Sequence, residues 1–150
     1  MMDISEIDVA AFEENYRSSR MYHFRARQFL EEGQHASVVF NVASVALENY
    51  LIALCLLYGI EPENHNYICL MEAVEEIDCL VVSPELNQSI RSLDQIFGIC
   101  SLENYFHGAP ELTDMVKVLE LCEAVAELFD PIRIGDVRRF AQQQKESCPT

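Results

Sequence analysis

The sequence predicts an all-α protein, an up-and-down bundle of four to five helices. Apolar residues recur at steps of three and four along most of the chain, which is the spacing of one helix face. The five glycines and five prolines lie mainly between these periodic segments, and no segment alternates with a period of two. Short connections favour antiparallel neighbours. We expect one helical domain over residues 1–134 and a polar tail over residues 135–150.

The first two predicted helices are the longest. The first runs from Val9 to Glu32, and Gly33 ends it as a glycine after the last helical turn commonly does. The second runs from Gln34 to Tyr58 and is followed by Gly59. Its apolar side chains cover nearly the whole circumference, which is typical of a helix at the centre of a domain.

Two shorter helices are predicted next. The third runs from about Asn66 to Asp78, with apolar residues again at helical spacing. The fourth begins at the triplet Ser83-Pro84-Glu85. A serine hydroxyl caps free N–H groups, proline suits the first helical position, and a glutamate favours the positive end of the helix dipole.

The fourth helix is expected to continue to Phe97 and to weaken at Gly98. A fifth begins near Pro110 or Thr113 and stops at Asp130-Pro131, because proline cannot continue a helix. Residues 135–150 are polar and include three consecutive glutamines. They are expected to form either a short helix or a disordered tail.

The overall charge restricts the classes of partner. The chain has 25 acidic and 10 basic residues, a net charge of −15. Nucleic acids and anionic membranes both favour cationic surfaces, so neither is an expected partner. The longest uncharged apolar stretches are too short and too polar to span a bilayer, and no basic segment precedes an apolar block as in a signal peptide. We expect a cytoplasmic protein.

Cysteines and histidines raise the question of disulfides and metals. Most of the six cysteines lie in apolar helical segments, so buried reduced thiols are expected rather than disulfides. No Cys-x-x-Cys pair occurs, and His65 with Cys69 is a lone pair at ligand spacing. A di-iron bundle repeats Glu-x-x-His on two helices, whereas only Glu32 with His35 fits here. We predict no metal and no other cofactor.

Charge is distributed unevenly along the chain. The interval 28–90 contains ten carboxylates and no Lys or Arg, which indicates either a solvated face or a docking face for a basic partner. On the first helix, Arg17, Arg20 and Arg27 fall within one side of the helical wheel. These arginines either pair with acidic neighbours or form a small phosphate-binding strip.

Glu48, His65 and His107 are further candidates for a functional role. Glu48 lies within the apolar second helix and is expected to be a buried or interfacial carboxylate that needs a partner. His65 precedes the third helix, where it is a capping, packing or binding residue. His107 lies at a helix junction as an acid/base or structural group. His23 lies within the helical pattern of the first helix and is expected to be a boundary residue between core and solvent.

The segment from Gly33 to Gly59 resembles the second helix of HEPN domains (higher eukaryotes and prokaryotes nucleotide-binding). That helix often reads as a glycine, a stretch rich in small residues, A-x-E-x-x-L-K-A-x-L and a closing glycine. Ile52 stands at the lysine position, and His65 matches the histidine of the family's t-H-d-L motif. The resemblance extends over about residues 9–130. The matching positions of the helix motif are Ala46, Glu48, Leu51 and Ala53.

The resemblance implies a test for ribonuclease chemistry. Many HEPN proteins carry an Arg-x(4–6)-His motif that is paired across a dimer, and His107 is similar to its histidine. The corresponding arginine positions hold Cys100, Ser101 and Leu102, and Glu103 follows them. An arginine is needed there to hold a phosphate, which a carboxylate would repel.

The missing arginine implies a non-catalytic HEPN-like module. Such a module would form a homodimer, or bind a protein partner such as a nucleotidyltransferase in a toxin–antitoxin-like context. The alternative is a divergent ribonuclease or nucleotide-binding protein that uses His107, with Asn104 and Arg91 as further catalytic candidates. For the binding module, the candidate residues are Glu48, His65, Arg17, Arg20 and Arg27.

Overall fold

The computed structural model describes residues 4–95 and 112–147, and helices are the only regular secondary structure in these two ranges. The predicted all-α class is therefore confirmed. Six α-helices lie in the described ranges, against the predicted four to five. A short 3₁₀ helix (Ile4–Glu6) precedes α1 (Val9–Glu31), α2 (Ala36–Leu57), α3 (Tyr67–Glu75), α4 (Pro84–Arg91), α5 (Leu112–Ala126) and α6 (Pro131–Ser147).

The two long helices, α1 and α2, end close to the glycines from which their ends were predicted. Gly33 follows α1 with φ +74°, and Gly59 follows α2 with φ +76°. A left-handed backbone at these positions favours glycine, since a Cβ atom would strain it. The predicted ends of α1 and α2 are confirmed to within two residues.

Side-chain caps begin the shorter helices. Asn66 Oδ1 accepts a hydrogen bond from Cys69 N at 2.8 Å at the start of α3. Ser83 Oγ accepts from Leu86 N at 3.1 Å, with Pro84 as the first residue of α4, as predicted. Each cap satisfies an N–H group that has no partner within its own helix.

Helix α2 forms the centre of the core. Helices α1, α3, α5 and α6 all contact it, and thirteen of its 22 residues are buried. The central position predicted from its apolar circumference is therefore confirmed. By length and hydropathy α2 is also the one helix of the described ranges that could cross a bilayer, but 67% of its most apolar window is buried within the protein.

The C-terminal region forms a packed helix in the structure. Helix α6 starts at Pro131, after Asp130 Oδ1 accepts a hydrogen bond from Ile132 N at 2.9 Å. Ile134 and Val137 enter the core, and Arg133 Nε donates to the carbonyl oxygen of Leu57 at 3.2 Å. Of the two predicted states for residues 135–150, the structure has a helix that continues to residue 147. Two apolar side chains three residues apart anchor it despite the polar composition.

Helices α3 and α4 are shorter than predicted. Helix α3 ends at Glu75 rather than Asp78, and α4 ends at Arg91. Ser92 is the C-terminal cap of α4, and its hydroxyl donates to the carbonyl oxygen of Ser89 at 2.7 Å. Residues 93–95 are helical again after this cap, and only residues 96 and 97 of the predicted continuation lie outside the described residues.

Candidate functional site

A groove of about 670 Å³ runs along α1 and contains the three arginines singled out from the sequence. Helical spacing places these arginines on one side, and α6 adds a fourth. The groove also contains an imidazole from α1 and a phenol from α2. We call it the arginine groove and define it by Arg17, Arg20, His23, Arg27, Tyr50 and Arg138.

The four arginines differ in their partners. Arg27 forms an ion pair with Glu123 of α5, and Arg138 Nε donates to Glu13 Oε1 at 2.8 Å. Among the described residues, no carboxylate oxygen lies within 4.0 Å of a side-chain nitrogen of Arg17 or Arg20. The predicted pairing with an acidic neighbour is confirmed for Arg27. Arg17 and Arg20 are exposed, and the phosphate-binding strip stays a prediction.

His23 and Tyr50 form a buried polar pair in the arginine groove. His23 Nδ1 lies 2.9 Å from the hydroxyl oxygen of Tyr50, and the two rings meet edge to face. Burial, reinforced by nearby Arg27, lowers the pKa of His23. Burial raises the pKa of Tyr50 to about 12. At neutral pH the pair is therefore a neutral imidazole and a protonated phenol.

The sequence predicts that His23 is a boundary residue, and this prediction is wrong. The structure buries the imidazole, and its Nε2 has no hydrogen-bond partner among the described residues. The available signal was its position in the inward repeat of α1, together with Phe12, Ser19 and Ala26. Helical periodicity does not indicate that Tyr50, 27 positions away in the sequence, is the hydrogen-bond partner of His23.

A second groove, of about 310 Å³, brings Glu48 together with His65. The sequence placed these two candidates in different segments, one in the second helix and one before the third. In the structure, α2 supplies the carboxylate and the turn before α3 supplies the imidazole. We call this site the Glu48 groove and define it by Val45, Glu48, His65, Tyr67 and Asp94.

Two polar residues hold the Glu48 groove in shape. Asp94 Oδ1 accepts a hydrogen bond from Tyr67 N at 3.0 Å, and its Oδ2 accepts from Ile68 N at 2.8 Å. The buried Tyr67 hydroxyl donates to the carbonyl oxygen of Ser44 in α2 at 2.8 Å. The carboxylate thus caps α3, and the phenol fixes α3 to α2. Neither role was predicted, because both partners are distant in the sequence.

Burial raises the pKa of Glu48, and nearby His65 opposes the shift. The folded protein therefore holds this proton more tightly than the unfolded chain, whose glutamate has a pKa near 4.5. By linkage, the contribution of Glu48 to stability declines as the pH rises through and above that value.

We expect Glu48→Gln to raise the free energy of unfolding relative to wild type at pH 7, with a smaller gain at pH 4. Urea titrations at the two pH values measure the difference. Glu75→Gln is the control of opposite sign, because hydrogen bonds from Asn87 and Arg91 lower the pKa of Glu75. Its stabilisation is lost as the pH falls. A destabilising Glu48→Gln at pH 7 would contradict the prediction.

The three catalytic candidates are not brought together within the described residues. Asn104 and His107 both lie in the range 96–111, outside the part of the chain that the structure describes. Arg91 is engaged elsewhere: a guanidinium nitrogen lies 2.7 Å from Glu75 Oε1, and Nε donates to Asn87 Oδ1 at 2.5 Å.

The thiols follow the sequence prediction only in part. Cys55 and Cys122 are buried, and burial raises the pKa of each thiol to about 12. Cys69 is half-buried and Cys79 is exposed, which corrects the expectation that cysteines in apolar segments are buried. Cys79 lies beyond the end of α3. All four are free.

The acidic interval 28–90 contributes a groove whose charged side chains are all negative. This groove of about 460 Å³ is lined by four glutamates and contains no basic side chain: Glu61, Glu63, Glu72 and Glu76.

Within residues 4–95 and 112–147, no three His, Cys, Asp or Glu side chains are grouped as metal ligands. Comparison with protein-family models, with curated proteins and with solved structures gives no match for this chain.

Proposed function

We propose that this protein is a non-catalytic, HEPN-like helical bundle that forms a homodimer through the outer face of α2 and binds a protein partner. A nucleotidyltransferase in a toxin–antitoxin-like context is the partner class that the resemblance suggests. The proposal is supported by the all-helical fold, by a central second helix that ends at Gly59, and by the motif matches at Ala46, Glu48 and Leu51.

The outer face of α2 is the observation on which the dimer depends. Val38 is 38% exposed and Val45 is 41% exposed, two helical turns apart on a helix that is otherwise largely buried. The half-buried carboxylate of Glu48 lies beside Val45 in the Glu48 groove. Apolar groups next to a partly desolvated acid favour a surface that another chain covers. A two-fold interface would use each of these contacts twice.

The engagement of Arg91 supports a role without catalysis. This residue is the arginine nearest upstream of His107, and its guanidinium is already bound by Glu75 and Asn87. A phosphate-binding arginine would have to exchange these partners for substrate. Together with the uncharged residues 100–102, this favours a binding module over a ribonuclease.

We expect Val45→Ser to raise the dissociation constant of the dimer about tenfold, because burial of a valine side chain contributes about 1.5 kcal/mol. Light scattering across a protein dilution series measures the constant. Val116→Ser is the matched control, since Val116 is also 41% exposed but lies on α5. The control should leave the dimer unchanged.

Two results would overturn the proposal. Wild-type protein that stays monomeric at micromolar concentration would exclude the homodimer. Cleavage of RNA by the wild type, abolished in His107→Ala, would show that the protein is a nuclease. We expect wild-type protein to leave RNA intact, with or without divalent metal ions.

A further inference from the structure

We infer that the arginine groove binds an acidic amphipathic helix of a partner protein. The inference rests on the proposed role in partner binding, and it adds a site and the chemistry of the partner. The arginine groove lies along α1, whereas the proposed dimer uses the outer face of α2. The two can therefore be tested separately.

Charge is the first reason for an acidic occupant. Within a chain of net charge −15, four arginines and one carboxylate, that of Glu13, line the groove. Arg17 and Arg20 have no ion pair with a described carboxylate. The pairs of Arg27 and Arg138 are about half exposed, so they are weak and can be replaced by carboxylates of a ligand. Arginine presents a planar fork that suits bidentate carboxylate binding.

Exposed apolar side chains are the second reason, and they favour a peptide over a simple anion. Met21 is 53% exposed and Phe24 is 69% exposed, and both line the groove. With Arg17 and Arg20 they follow helical spacing along one side of α1. An amphipathic helix covers such a surface with alternating carboxylates and apolar side chains. An inorganic anion would leave Met21 and Phe24 uncovered, and a nucleic acid would be repelled by the acidic remainder of the chain.

The imidazole of His23 is the third reason. It is only 7% exposed and lines the groove, yet Nε2 has no partner among the described residues. In the tautomer in which the Tyr50 hydroxyl donates to Nδ1, the neutral ring carries its proton on Nε2. That N–H is then a buried donor without an acceptor among the described residues, which a ligand carboxylate would satisfy once the groove side chains that cover it move aside.

The test uses the full chain and a fluorescein-labelled synthetic helix with glutamate and leucine at alternating helical positions. Fluorescence anisotropy gives its dissociation constant. We expect Arg20→Glu to weaken binding about tenfold, which is the order of one charge-assisted hydrogen bond. Arg25→Glu is the matched control, because Arg25 is exposed on α1 but lies outside the groove and contacts Phe29. It should change the constant much less.

Two further probes separate the alternatives. A peptide with glutamine in place of glutamate should bind weakly, and a single-stranded RNA should not bind detectably. Equal losses in Arg20→Glu and Arg25→Glu would overturn the inference, as would tighter binding of the RNA. Absence of peptide binding up to about 1 mM would also overturn it. Circular dichroism verifies that each variant is folded.

Light scattering on the same samples distinguishes the two proposals. Arg20→Glu should lose the peptide but keep the oligomeric state of the wild type. A monomeric wild type that binds the peptide through Arg20 would overturn the dimer alone. A dimeric wild type that does not bind the peptide would overturn only the inference about the arginine groove.

Discussion

Phe40→Ala should lower the free energy of unfolding by about 3 to 5 kcal/mol. Phe40 lies in the second turn of α2, belongs to the hydrophobic core and is 1% exposed. Its removal leaves a cavity that α1 and α5, which pack on α2, can only partly refill. The lost transfer free energy and the residual cavity both contribute to the loss.

A urea titration followed by circular dichroism measures the effect of Phe40→Ala. Val116→Ala is the matched control, since it truncates a partly exposed apolar side chain on α5, which lies outside the proposed dimer face. The control should change the free energy of unfolding by about 0.5 kcal/mol or less. A loss below about 1 kcal/mol for Phe40→Ala would contradict the central position of α2 in the core.

Asp94→Ala should cost about 2 kcal/mol, because one carboxylate serves two backbone N–H groups at the start of α3. Both N–H groups lose their acceptor in the variant. The loss should be accompanied by a looser Glu48 groove, since Tyr67 begins α3 and lines that groove.

Asp94→Asn and Asp78→Ala identify the cause of the loss. The asparagine retains one acceptor oxygen, so it should recover part of the stability. Asp78 is an exposed residue beyond the end of α3, and its alanine variant removes the same charge without removing a cap. If Asp78→Ala is as destabilising as Asp94→Ala, net charge rather than capping is responsible.

The helices themselves were largely determined by the sequence. The ends of α1 and α2 follow from Gly33 and Gly59, and the start of α4 follows from Ser83 and Pro84. These signals act within one helical turn, so they can be recognised without the rest of the protein. The central place of α2 was also predicted, because a helix that is apolar on all sides must be covered on all sides.

The C-terminal helix was only partly determined by the sequence. Its composition is polar, and only Ile134 and Val137 reach the core. The helix is held by tertiary contacts, including the hydrogen bond from Arg133 to the end of α2. Such contacts depend on how helices pack and not on local propensity.

The two grooves show where local sequence information ends. The sequence alone selected Arg17, Arg20 and Arg27 as one side of α1, because residues three, four and seven apart share a face. Only the tertiary structure gave Glu48 and His65 a common groove, placed Asp94 at the start of α3 and buried His23 against Tyr50. The hydrogen bonds of Asp94 and His23 span 26 to 27 positions of the chain. Helical periodicity determines which face of a helix is apolar, whereas the packing of whole helices determines which polar groups meet.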